Sequence, residues 1–213
     1  MGFKESSAFF LFVLLCGSTC SGKTADEVPE ITVLLQNRVK LRQTELKQAE
    51  AEVARIFGAA GIHVRWVDCM KTDVCHHVPT ANEFVLSIVS DGRTPNDMVY
   101  GIAFLGPSGE GKYSDVFFRR IEAACSTNGE NVARFLGTVA AHELGHLLLG
   151  SHAHTYQGVM SAVWRGPTLR RMNMGTLLFT GEESMAMKAR LAGEGARGQL
   201  PAYTRTRTRS WIP

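Results

Sequence analysis

The chain has 213 residues, and 45% of them are hydrophobic, enough for one domain with a buried core. A formal net charge of +3 is too small to argue for a nucleic-acid partner. The apolar run near the start, Ala8 to Cys16, spans nine residues and is too short to cross a bilayer.

Residues 1–25 read as a secretory signal: Lys4 gives a positive start, the apolar run follows, and Gly17, Ser18 and Thr19 supply small residues. Cleavage is expected between Gly17 and Ala25, and the product is expected to be exported, either secreted or periplasmic. A lipid anchor on Cys16 or Cys20 is the weaker alternative, because Leu15 and Thr19 precede them where lipoprotein processing wants Gly, Ala or Ser. Three cysteines then remain in an oxidising setting: Cys69, Cys75 and Cys125. Cys69 and Cys75 bracket a short loop containing Lys71, Thr72 and Asp73, and a disulfide between them is expected. Cys125 is left over and reads as a small buried hydrophobe. A zinc site from Cys69, Cys75, His76 and His77 competes, but its spacing is not that of a zinc finger.

Residues 31–41 predict a strand and 44–60 a helix, with Leu46, Ala49, Val53, Phe57 and Ala60 on one face. Gly61 ends that helix. Residues 62–67 alternate and predict a second strand, and 84–90 a third. Strand, helix and strand in this order predict a crossover unit with a parallel pair. His63 reads as a surface strand residue. Beyond a polar loop at 91–98, residues 99–105 predict another strand. Gly106 to Lys112 then nearly matches a phosphate-binding loop, but Tyr113 stands where Ser or Thr must reach magnesium, and 113–118 predict a strand rather than the required helix. This segment reads as a hairpin or a lip of a cleft.

A long helix is expected from near 128, capped by Thr127 and Glu130 and burying Val132, Phe135, Leu136, Val139 and Ala140. It carries His142-Glu143-Leu144-Gly145-His146. Histidines four apart leave one helix face a turn apart, so two imidazoles can share one zinc ion with Glu143 beside it. Zinc held by three protein ligands lowers the pKa of a bound water to about 7. Glu143 can take that proton as hydroxide attacks a carbonyl and return it to the leaving amine. The bland alternative is an amphipathic helix with polar residues. Against it, four of the seven histidines fall between 142 and 154.

The stretch resembles the metzincin metalloproteases, whose pattern is H-E-x-x-H-x-x-G-x-x-H followed by a Met-turn. His142, Glu143 and His146 fit, and His152 stands at the eleventh position, where the third zinc ligand belongs. The glycine is displaced: Leu149 takes its place and Gly150 comes one residue late. Glycine ends the helix there by adopting a left-handed conformation. A later stop lengthens the helix and favours His154 as third ligand, whereas counting favours His152. The reading leans to His154 and both stay open. The resemblance implies that Met160, within Gly158-Val159-Met160-Ser161, forms the apolar floor under the ligands. Plain core is the alternative role for Met160, and Met172 and Met174 are rivals for the turn. It also implies an edge strand that pairs with extended substrate, supplied by 99–105 or 113–118.

A closing helix is predicted at 182–191, and residues 192–213, rich in Gly and Arg, read as a disordered basic tail. Glu182 and Glu183 offer another source of a third ligand, as in a different class of HExxH enzyme, but the histidines lie much nearer. The chain is expected to be an α+β protein, with a metzincin-like domain over 26–191: a mixed twisted sheet, a helix before it, the long motif helix and a C-terminal helix. The implied activity is that of a monomeric, exported zinc-dependent endopeptidase. It would act on peptide or protein substrates with one catalytic Zn2+ and Glu143 as general base. The alternative is a non-hydrolytic zinc-binding module that recognises a protein partner.

Overall fold

The structure, a computed structural model, describes residues 28–71, 75–94 and 96–193. The signal expected at 1–25 and the tail expected from 194 onward lie outside the described residues. The elements in chain order are β1 (Glu30–Asn37), α1 (Gln43–Ala59), β2 (His63–Asp68), β3 (Glu83–Val89), β4 (Gly101–Phe104) and β5 (Tyr113–Phe117). They continue with α2 (Phe118–Asn128), α3 (Val132–Leu149), α4 (Pro167–Asn173) and α5 (Gly181–Leu191). The architecture is a mixed five-stranded sheet with helices, the expected α+β class.

The strand order is β2-β1-β3-β5-β4. β1 pairs in parallel with both β2 and β3, and β3 pairs in parallel with β5. The β1–α1–β2 segment is therefore the crossover unit expected from sequence. β4 alone runs antiparallel, on β5, and forms one edge of the sheet. Of the two segments weighed as an exposed edge, 113–118 is internal and only 101–104 stands free.

One apolar core joins these layers. Ile31, Val33 and Leu35 of β1 meet Val53 and Phe57 of α1 and Phe135, Leu136 and Val139 of α3 in one cluster, each at most 2% exposed. Alternation along β1 and the three-to-four spacing along the helices put these side chains on facing surfaces. α3 is buried for most of its length, which fixes the motif helix within the body.

Two expectations are corrected around α3. Residues 118–128 form a separate helix, and the N-terminal cap is Asn131, whose side chain accepts from the Arg134 N–H at 2.9 Å. The physical reason is Gly129, which closes α2 in the left-handed conformation. Thr127 lies inside α2, its hydroxyl donating to Ala123 O at 3.0 Å, and forms no capping box with Glu130. A capping box is present instead at α5, between Thr180 and Glu183. The short helix α4 carried no periodic signal strong enough to be anticipated.

The glycine-rich segment 106–111 joins β4 to β5 and docks against the end of α3, away from the cleft. A Cβ at Gly109 would collide with the Gly150 carbonyl oxygen, and Arg190 Nη2 donates to Gly109 O at 3.2 Å. Cys69 and Cys75 are disulfide-bonded, with 5.6 Å between their Cα atoms, so neither thiol is free for the alternative Cys-His zinc site. Cys125 is buried and free. His63 is exposed and pairs with Glu30 at 2.7 Å.

Candidate metal centre

α3 delivers His142 and His146 to one spot because four residues complete just over one turn. Their Nε2 atoms stand 3.0 Å apart. The other nitrogen of each ring is already committed: His142 Nδ1 lies 2.8 Å from Val159 O and His146 Nδ1 lies 2.7 Å from Ser151 O. A carbonyl can only accept, so each Nδ1 carries the proton and each Nε2 presents a lone pair. Two lone pairs then face each other with no hydrogen to bridge them, an arrangement that a cation between them relieves.

His154 completes the group. Its ring stacks on His142 at 5.2 Å between centroids and meets His146 edge-on at 4.9 Å. One nitrogen from each of His142, His146 and His154 falls within 4.8 Å of the others. His152 lies outside this group; its ring is 5.9 Å from that of His146, and it is exposed on the rim of the same cleft. The backbone explains the difference. Gly150 closes α3 with φ of 64°, a conformation that a side chain resists, and the chain turns back one residue later than a stop at 149 would allow.

Burial tunes these groups. Desolvation lowers His142 to about 4 and His146 to about 3, and lowers His154 as well, so the imidazoles are neutral at physiological pH and ready to donate lone pairs. Glu143 is 5% exposed, and burial raises its carboxyl to about 8, with a hydrogen bond from the Ala103 backbone N–H acting in the opposite direction. A carboxyl poised near neutrality is suited to exchanging protons. Its neighbour on the edge strand is Gly101, where a Cβ would stand 2.7 Å from Glu143 Oε1 and 2.8 Å from Cγ.

The floor is apolar. Met160 is fully buried, and a Cβ on Gly145 would lie 2.7 Å from its sulfur and 2.8 Å from Phe179 Cε1. The small residue inside the motif thus lets the methionine and Phe179 pack directly beneath the helix. Met172 is also buried, while Met174 is exposed. The loop carrying His154 is pinned at Thr155, whose N–H donates to Met160 O at 3.0 Å and whose hydroxyl lies 3.1 Å from Glu183 Oε1. Glu183, considered from sequence as a possible ligand, is a buried capping residue of α5 that braces this loop. Glu182 is exposed at the start of the same helix.

These groups open into a cleft of about 440 Å³. β4 forms one side, and the segment following Met160, residues 161–165, forms another. Trp164 sets its ring edge-on to His142 at 5.6 Å and packs on Phe135, which meets Tyr100. The rim at 96–99 is held by Arg120, a buried side chain on α2. It donates to Asp91 Oδ1 (2.5 Å), Asn96 O (2.6 Å) and Val99 O (3.1 Å), and to Gly92 and Thr94 besides. Sequence reading missed Gly101, Arg120 and Trp164, whose roles depend on segments brought together by folding and leave no local pattern.

Three neutral imidazoles, two of them oriented by backbone carbonyls, suit a zinc ion, which takes nitrogen ligands in tetrahedral sites with an open fourth position. No protein-family model matches the chain, and no curated protein does. Among solved structures, the chain is similar in fold to a zinc-dependent peptidase from Methanocorpusculum labreanum (strain Z). The two share a TM-score of 0.50 and 14% sequence identity, covering 74% of this chain and 99% of that one.

Proposed function

We propose that the chain is an exported zinc-dependent endopeptidase of metzincin type, with His142, His146 and His154 as metal ligands and Glu143 as general base. The observation that carries this reading is the convergence of three histidine nitrogens within 4.8 Å, beside a buried glutamate, at the bottom of an open cleft. The fold likeness to a zinc-dependent peptidase supports the same reading.

Zinc, when bound, supplies a Lewis acid that acidifies water and polarises a carbonyl. The chain's own residues do the rest. Glu143, held between Gly101 and the Ala103 N–H, takes a proton from water as it attacks the peptide carbonyl carbon, and hands it to the departing nitrogen. Met160 and Phe179 keep water from below the ligands. β4, as the free sheet edge beside the cleft, offers backbone groups to which an extended peptide can add as a further strand. The Cys69–Cys75 disulfide supports export to an oxidising compartment.

The test is zinc per chain by elemental mass spectrometry, measured with cleavage of a broad peptide mixture. About one zinc in the unmodified chain and in Glu143→Gln, with cleavage lost only in the latter, is the expected result. His154→Ala is expected to lose metal while His152→Ala keeps it. Metal retained with no cleavage by the unmodified chain would leave a non-hydrolytic zinc module. No metal at all would overturn the reading.

A further inference from the structure

We infer that Arg165 is a specificity determinant of the cleft, selecting peptides that carry an Asp or Glu side chain close to the bond to be cut. The inference deepens the peptidase reading above and rests on it for the cleavage step.

Arg165 lines the cleft and directly follows Trp164, whose ring touches His142. Outside the histidines, Arg165 and Glu143 are the two ionisable acid or base side chains of Asp, Glu, Lys or Arg type lining the cleft among the described residues. Glu143 is buried at the metal centre, whereas Arg165 is exposed on the wall. No ion pair or side-chain hydrogen bond engages its guanidinium among the described residues. Arg42, Arg55, Arg65 and Arg120 form ion pairs, and Arg38, Arg134, Arg171 and Arg190 donate hydrogen bonds.

Its own segment adds no opposing charge. Residues 161–175 contain Arg165, Arg170 and Arg171 and no Asp or Glu. Asn96, Met98 and Ile102 also line the cleft and are neutral, and the exposed Asp97 between the first two is not among the lining residues. The backbone at Arg165 is fixed by Thr168 N–H donating to Arg165 O at 3.0 Å and by Pro167 at the start of α4. A cation on a cleft wall adds its field to the cleft, where the low-dielectric walls focus it. A carboxylate matches the planar fork of guanidinium donors, which a neutral or basic side chain does not.

The experiment uses the full zinc-loaded chain and a peptide set identical except for Asp, Asn or Lys at each position flanking the cleaved bond. Cleavage is followed by mass spectrometry. In parallel, fluorescence anisotropy measures binding of the same labelled peptides to Glu143→Gln. At one flanking position, kcat/KM and affinity are expected to favour Asp over Lys by roughly fivefold, the scale of one partly exposed ion pair. Arg165→Gln is expected to abolish the preference and Arg165→Glu to invert it. A general defect in folding would lower all three peptides equally, so the ratio isolates recognition. Cleavage with the same Asp-to-Lys ratio in the unmodified chain and in Arg165→Glu would overturn the inference and leave the peptidase reading standing. Preferential binding of Asp peptides that inverts in Arg165→Glu, with no cleavage by any form, would uphold recognition and overturn hydrolysis. Neither binding nor cleavage would overturn both.

Discussion

Gly101 lies so close to Glu143 that a single added methyl would stand 2.7 Å from the carboxylate oxygen. The edge strand and the motif helix are thus fitted to each other at the carboxyl proposed as general base. Gly101→Ala is expected to push Glu143 out of place, because Asp115 O at 2.9 Å blocks retreat on the strand side. Activity should fall by about 10²-fold, the lower end of what a positioned general base contributes, while zinc content stays near that of the unmodified chain. Steady-state kinetics beside elemental analysis would check this; unchanged kcat/KM would show that the carboxylate is free to move.

The metal-free protein has a defined pH signature. His142 and His146 sit at about 4 and about 3 when folded, against an ordinary 6.5, so the unfolded chain binds more protons in that interval. Their contribution to stability is present above about pH 6.5 and is lost as pH falls through about 4 and about 3. Glu143 acts with the opposite sign. Its folded value of about 8 exceeds 4.5, so the folded state binds the extra proton and stability declines as pH rises from 4.5 through 8. With a chelator present, the melting temperature should peak near pH 6.5. Glu143→Gln should remove the decline between about pH 6.5 and 8 and leave the acid limb intact. An alkaline limb that persists in Glu143→Gln would assign it to another group.

Gly145 offers a packing test. A methyl group there meets the Met160 sulfur at 2.7 Å and Phe179 Cε1 at 2.8 Å, both in the fully or largely buried floor. Gly145→Ala should cost about 1–3 kcal/mol through overpacking, beyond the small gain in helix propensity. Urea denaturation reads the change. A Gly145→Ala, Met160→Ala double variant should recover part of the loss, since the truncated side chain leaves room; failure to recover would place the strain elsewhere.

Arg120 holds the cleft rim from behind. Removing it strands the carbonyls of Gly92, Thr94, Asn96 and Val99, which now accept from one guanidinium. Arg120→Ala is expected to destabilise the protein by about 1–3 kcal/mol, the scale of leaving acceptors unsatisfied, and Arg120→Lys to recover only part, because an ammonium cannot reproduce the planar fork. Hydrogen exchange should accelerate first at 91–99. Uniform acceleration across α1 and α3 instead would mean that the rim and the core unfold together.

The relation between sequence and site is instructive at His152 and His154. The motif HELGH needs only helical periodicity to put two rings and a carboxyl on a helix, so His142, Glu143 and His146 were legible from spacing alone. The third histidine was not. Its position depends on where α3 stops and how the chain returns, and Gly150 at the helix end and Thr155 on the return decide that together. Similarly, the strands were legible from alternation, but the separate helix α2 was not. The polar run from Ser126 to Asn131 marks a boundary there, but the few residues of 118–125 carry too short an apolar period to declare a helix of their own, which the left-handed Gly129 then closes.

What the sequence determined by itself is local: hydrophobic period, the glycine that ends a helix, the close pair of cysteines and the spacing of the first two histidines. These follow from the geometry of a few consecutive residues. Tertiary structure alone decided that β4 rather than β5 is the free edge, that Glu183 braces a loop from a helix cap, and that Gly101 touches Glu143. It likewise decided that Arg165 stands inside the cleft. Each of these joins residues far apart in the chain, and such contacts are fixed by how whole elements pack, which no short stretch encodes.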